Sequence, residues 1–226
     1  MLEQPASPRL RGPLAAGAAA LLLAGLLGLW VMRASPALDE RWLHLAVGLR
    51  GPGWDELALG LNYLGGGLLG VFVVPLAGTA LLAWRAGRWP ATFFLVASAA
   101  SALVVQVLKA AFGRARPEEI LVAADPGSFP SGHTANAATI AMVMGLLFPR
   151  LWVWIAGLLY TVLMALSRTY LGAHWLTDTL GGLLVGAGVA VLVWAAFATR
   201  LSSAAALPRA VGGAGTDPTA EAAEPG

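Results

Sequence analysis

The sequence predicts an all-α polytopic membrane protein in which six transmembrane helices form one bundle, and three observations carry that prediction. Of the 226 residues, 58% are apolar and only 12% charged, where a soluble domain averages about a quarter charged. Water is therefore not the main solvent of this chain. Charged residues are absent from 13–32, 57–84, 89–108, 134–149, 151–167 and 179–199. A helix rises about 1.5 Å per residue, so runs near 20 residues match the roughly 30 Å hydrocarbon layer. Trp30, Trp84, Trp89, Trp152, Trp154 and Trp175 fall at or near the ends of these runs, where the amphipathic indole prefers the interface.

Taken in order, residues 13–32 form the first span. Arg9 and Arg11 precede it and small residues follow it, as in a signal peptide, but the apolar core of a signal peptide is only about 7 to 15 residues long. An uncleaved span is expected, preceded by a short segment, 1–12. Leu38, Trp42, Leu45 and Leu49 then recur at helical spacing, with Asp39, Glu40, Arg41 and Arg50 off that stripe. This predicts a short helix lying in the interface; a soluble loop fits nearly as well. The run 57–84 exceeds one span, with Gly65 to Gly67 weakening its start and Pro75 expected to kink it. Residues 89–108 form the third span, between Arg88 and Lys109.

Residues 113–130 carry four charges besides Arg116 and two prolines beyond Pro117, and read as a loop. The runs 134–149 and 151–167 lie near the lower length limit for spanning, and 179–199 completes six. The membrane domain is thus 13–199, and the Ala-, Gly- and Pro-rich tail 200–226 is expected to be disordered.

The formal charge of +2, without a basic run, gives no nucleic-acid footprint. The absence of cysteine excludes disulfides and thiolate chemistry or ligation.

Chemistry concentrates in three polar segments that six alternating spans bring to one membrane face. Lys109 is followed, after six residues, by Arg116-Pro117; Pro130-Ser131-Gly132-His133 opens a helix; and Ser167-Arg168 precedes His174 and Asp178. Gly172 can end a helix in a left-handed conformation, and His174 and Asp178, four apart, share a face if a new helix starts there. Asp178 could then hold one ring nitrogen of His174 and leave the other with a free lone pair. Each segment alone suits an ordinary helix flank or cap. Jointly they gather two of only three histidines on one face.

Together these segments resemble the type 2 phosphatidate phosphatase superfamily, which includes vanadium-dependent haloperoxidases, and specifically its integral-membrane branch of bacterial type. All three signature segments match without departure. The resemblance implies His174 as a nucleophile that forms a phosphohistidine, and His133 as the acid that protonates the leaving oxygen and then activates water. Phosphoryl transfer needs chiefly positioning and charge stabilisation on the equatorial oxygens. Lys109, Arg116 and Arg168 supply three cations, and Ser131 and Gly132 start a helix whose backbone N–H groups favour an anion. Such a site needs no metal or other cofactor, and with few acids nearby and no cysteine one is not easily built.

The implied substrate is a lipid mono- or diphosphate held in the bilayer, such as a polyprenyl diphosphate, phosphatidate or phosphatidylglycerol phosphate. Phosphotransfer to another acceptor is the nearest alternative, and a transporter is the rival outside enzymes. Oligomeric state stays open. Lysine and arginine divide seven against seven between the two faces; if Lys109, Arg116 and Arg168 are held for function, the count becomes seven against four. That places both termini in the cytoplasm and the site outside it.

Overall fold

The computed structural model describes residues 10–34 and 36–206. Among the described residues there are eight α-helices: α1 (Arg11–Arg33), α2 (Ala37–Gly48), α3 (Pro52–Gly65), α4 (Val74–Ala86), α5 (Arg88–Phe112), α6 (Gly132–Leu147), α7 (Leu151–Tyr170) and α8 (Leu176–Ala206). A π-helical segment, Leu69–Val73, runs directly into α4. The all-α prediction holds.

Among the described residues five rods are long and apolar enough to cross a membrane: α1, the continuous Leu69–Ala86, α5, α7 and α8 up to Ser203. The expected sixth, α6, has 16 residues, about 24 Å at 1.5 Å per residue, and is shorter than the other five. The reason is burial. From Gly132 to Leu147 no residue of α6 is exposed, because α5, α7 and α8 surround it. A helix enclosed by protein need not match the thickness of the lipid.

The run 57–84 divides where its glycines predicted. α3 ends at Gly65, Gly66 is extended and Gly67 takes a positive φ of 58°, so α3 is separate from the rod that follows. Pro75 stands at the start of α4 just after the π-helical turn; a proline cannot donate to the preceding turn, and a widened turn accommodates that loss. α2 confirms the helix expected after residue 37, with Leu38, Leu45 and Leu49 facing outward at 56, 64 and 66% exposure. Its polar face is not solvated throughout, however. Asp39, which the spacing placed away from the apolar stripe, is fully buried.

Close helix approach rests on small residues. A Cβ at Gly186 of α8 would lie 2.2 Å from the Ala135 carbonyl oxygen, and one at Gly182 would lie 2.4 Å from that of Ser131. Backbones meet there in the manner of small-residue membrane interfaces. Thr139 adds a polar tie, its hydroxyl 2.9 Å from Ser101 Oγ and donating to the Ala135 carbonyl at 2.8 Å. Around this centre Phe93, Phe94, Val143 and Ala190 form a buried core. Leucines such as Leu22, Leu103 and Leu158 point outward, as lipid-facing side chains do. At the far end α8 continues helically through Ala206, past the expected boundary at 199; the tail predicted beyond it lies outside the described residues, as does most of the segment 1–12.

Candidate active site

The ends of α5 and α7 and the starts of α6 and α8 meet at one end of the bundle. Gly113, left-handed at φ 57°, terminates α5 and leaves Lys109 in its last turn. Gly172 does the same after α7 at φ 65°, and a Cβ there would also strike the Glu119 carbonyl at 2.6 Å. Only glycine meets both demands. Between them the loop 113–131 is anchored by Phe129, fully buried and stacked edge-on against Phe112 with centroids 5.4 Å apart.

A cavity of about 710 Å³ opens at this end, lined by Lys109, Arg116, Gly132, His133, Arg168 and His174, with Asn62 and Asp125 beside them. Of the residues expected in the site, these six line it. Ser131 does not. It is fully buried, its hydroxyl accepts from the Thr134 N–H and hydroxyl, and its own N–H donates to the Asp178 carbonyl at 2.9 Å. Ser131 therefore caps α6, and Gly132 and His133 are the residues whose N–H groups open that helix toward the cavity.

His174 lies in the turn before α8, and Asp178 lies in the first turn of that helix. The shared helical face expected for them is thus replaced by a turn. Asp178 Oδ2 is 3.6 Å from His174 Nδ1, whereas the Ser128 carbonyl lies at 2.7 Å. A carbonyl can only accept, so Nδ1 carries the hydrogen and donates to Ser128, and Nε2 keeps its lone pair. Arg116 Nη1 faces that lone pair at 3.3 Å. Burial lowers the His174 pKa to about 4, against the opposing pull of Asp178, so the ring is neutral at pH 7.

Asp178 has other work, which the sequence did not disclose. Its Oδ1 accepts from Arg114 at 2.6 Å and its Oδ2 from the Trp175 N–H at 2.9 Å. Arg114 also donates to Asp39 of α2 at 2.8 Å, and Asp39 accepts from the backbone and hydroxyl of Thr177 at 2.9 and 2.7 Å. All four side chains are buried. Here one guanidinium bridges two carboxylates, with remaining lone pairs satisfied, as burial of charge requires.

His133 Nε2 lies 3.1 Å from the Asn62 carbonyl, so it carries a hydrogen and donates it to that carbonyl at the cavity wall. Asn62 Oδ1 accepts from Arg168 Nη1, while Arg168 Nε, fully buried, has no partner. Asn62, Arg114, Asp39 and Ser128 were all missed by sequence reasoning. Arg114 stands two residues before Arg116, which is the one local hint; the others act through backbone carbonyls or across long separations that leave no spacing to read.

A bundle of membrane-length helices, holding three cations and two histidines around one cavity, defines an integral membrane protein equipped to bind an anion. Residues 90–202 match the PAP2 superfamily. The chain is 31% identical over 158 residues to phosphatidylglycerophosphatase B of Bacillus subtilis, covering 66% of this chain and 77% of that protein. It is 30% identical over 154 residues to decaprenylphosphoryl-5-phosphoribose phosphatase of Mycobacterium tuberculosis, covering 63% and 80%. The crystal structure of the transmembrane PAP2-type phosphatidylglycerolphosphate phosphatase from Bacillus subtilis superposes with a TM-score of 0.68 at 30% identity, covering 81% of this chain and 96% of that one. The chain belongs to the PAP2 superfamily.

Proposed function

We propose that this protein is a lipid phosphatase that works through a phosphohistidine at His174. The carrying observation is the tautomer: Nδ1–H is committed to the Ser128 carbonyl, which leaves the Nε2 lone pair beside Arg116 in a cavity also lined by Lys109 and Arg168. In the first step Nε2 attacks phosphorus and the bond from phosphorus to the lipid oxygen breaks. That oxygen takes a proton from His133, which enters the step as the imidazolium beside the bound phosphate anion and leaves it as the neutral ring. In the second step His133 accepts a proton from water, whose oxygen attacks phosphorus, and the P–N bond breaks to release phosphate. Lys109, Arg116 and Arg168, with the N–H groups of Gly132 and His133, hold the oxygens that gain charge.

Lys109, Arg116 and Arg168 at the cavity fill the role a divalent ion has in many phosphatases. The reading is therefore metal-independent. Activity that survives chelator and is inhibited by vanadate is the expected result; activity lost in chelator and restored only by a divalent metal would overturn it.

The cavity also supports a lipid as substrate. Away from the cations its walls include Val71, Phe72 and Leu103, at 48, 56 and 66% exposure on the outer surface of the bundle. A phosphate can reach the cations while its chain stays among apolar side chains. Each buried CH₂ contributes about 0.8 kcal/mol, and that binding energy helps hold the reacting group in line. A polyprenyl diphosphate, phosphatidate or phosphatidylglycerol phosphate meets this description. Phosphate release should be much faster from such lipids than from a short-chain analogue at equal concentration in detergent, and equal catalytic efficiency on a water-soluble ester would defeat the assignment.

A further inference from the structure

Two of the three cations assigned to phosphate already hold an anion supplied by the chain itself. Asp125 Oδ2 is 2.8 Å from Lys109 Nζ, and Oδ1 is 2.9 Å from Arg116 Nη2. The carboxylate bridges the two groups much as two oxygens of a phosphate would. We infer that Asp125 is a specificity-determining residue: its carboxylate must be displaced before a substrate phosphate can engage Lys109 and Arg116, and its return weakens the hold on the free phosphate product. This deepens the phosphatase reading above and rests on it.

The geometry allows the side chain to leave without unfolding the loop. Arg116 grips the backbone of Asp125 separately, donating to its carbonyl from Nε at 3.0 Å and from Nη2 at 2.9 Å, and to the Gly127 carbonyl at 3.0 Å. The carboxylate itself is 53% exposed, so it can swing into solvent. Arg168 is not engaged by Asp125, and its unpartnered Nε offers an incoming phosphate a donor that needs no exchange. Two anions cannot share Lys109 and Arg116 at hydrogen-bond distance without strong repulsion. Burial acts to raise the Asp125 pKa, but Lys109 and Arg116 outweigh it and hold the carboxyl below its ordinary range. It is therefore ionised, and competes, throughout the neutral range.

The consequence is discrimination. A lipid phosphate brings the binding energy of its chain to offset the displacement, whereas inorganic phosphate brings only its charge. Glu118 is in the same loop but makes no hydrogen bond to these cations, so it separates placement from general loop charge.

The test uses the full chain in detergent, with phosphatidate hydrolysis as the assay. Inhibition constants for inorganic phosphate and vanadate are measured for the native protein, Asp125→Asn and Glu118→Gln. Asp125→Asn should tighten both by about threefold to tenfold, as expected for removing a competing, partly exposed ion pair. It should also lower KM for a short-chain lipid phosphate more than for a long-chain one. Glu118→Gln should leave these constants unchanged. Should Asp125→Asn lose turnover, calorimetric titration with phosphate reads affinity directly, and the same tightening is expected. Unchanged or weaker binding in Asp125→Asn, or equal tightening in Glu118→Gln, would overturn the role of Asp125 alone. A native protein that neither hydrolyses phosphatidate or another lipid phosphate nor binds vanadate would overturn the phosphatase reading itself, and this inference with it.

Discussion

His174 is presented to the cavity as a neutral ring, the state the proposed nucleophile needs, and under that proposal this sets the low-pH behaviour of the reaction. With its pKa lowered to about 4 by burial, the ring stays neutral as pH falls through the usual histidine range and protonates only below it. The acid limb of kcat/KM assigned to the nucleophile should therefore lie well below pH 6.5, and a pH–rate profile on the purified protein would show it. A limb near 6.5 that vanished in a His174 variant would contradict the burial argument. His174→Ala should remove the labelled phosphoenzyme and lower turnover by roughly 10³-fold or more, whereas near-native turnover would refute the nucleophile. The cationic and imidazole side chains of the site were legible because they recur as short local spacings. The partners that orient them were not. Ser128 contributes a backbone carbonyl, which any residue type could supply, and Asp39 reaches Arg114 across 75 positions, so neither leaves a pattern in the sequence.

At the level of the helix, α2 and α8 are joined through charge. Removing Asp39 would leave Arg114 buried with one carboxylate in place of two, and breaking a buried pair typically destabilises by about 3 to 5 kcal/mol. Asp39→Ala should lower the melting temperature in detergent and reduce kcat with little change in KM, since Arg114 also fixes Asp178 at the start of α8. A change in KM alone would show that α2 acts on substrate access instead. Helix contact is tested by a matched pair. Gly186→Ala places a methyl against the Ala135 carbonyl, whereas Gly25→Ala in α1 meets nothing within 4 Å. The first should destabilise by about 1 to 3 kcal/mol and the second should be neutral or slightly stabilising, as compared by thermal unfolding. Helix positions followed from the uncharged runs, but length did not. α6 reads as a marginal span because hydropathy reports the residues and not their neighbours, and the division of 57–84 was visible only as weakness at Gly65 to Gly67.

For the whole molecule, the direction of the chain alternates so that Arg11 and Ala206 lie at the end opposite the site. At that end Arg85 stacks on Trp84 at 4.2 Å, and Arg88 and Arg200 on Trp89 at 4.9 and 4.3 Å, a belt of basic and aromatic residues. At the site end Lys109, Arg116 and Arg168 line the cavity, Arg114 is paired with Asp39 and Asp178, and Arg50 donates to the carbonyls of Glu119 and Tyr170. Discounting these leaves Arg33 and Arg41 there, against Arg11, Arg85, Arg88, Arg150 and Arg200 at the other end. On the positive-inside rule we propose that the termini are cytoplasmic and the site extracytoplasmic. Single cysteines at Ala123 and Ala86 should label from outside and inside respectively, and the reverse pattern would invert the arrangement.

The enclosure of α6 bears on how such a protein tolerates the membrane it lives in. Bilayers differ in thickness, and helices that face lipid answer by tilting or by deforming the bilayer around them. The helix that carries His133 has no fully exposed residue, so most of the mismatch falls on its outer neighbours and reaches it through their packing. Lys109 and Arg168 sit on those outer helices, so α6 gives them one axle to pack against while the surroundings swell or thin.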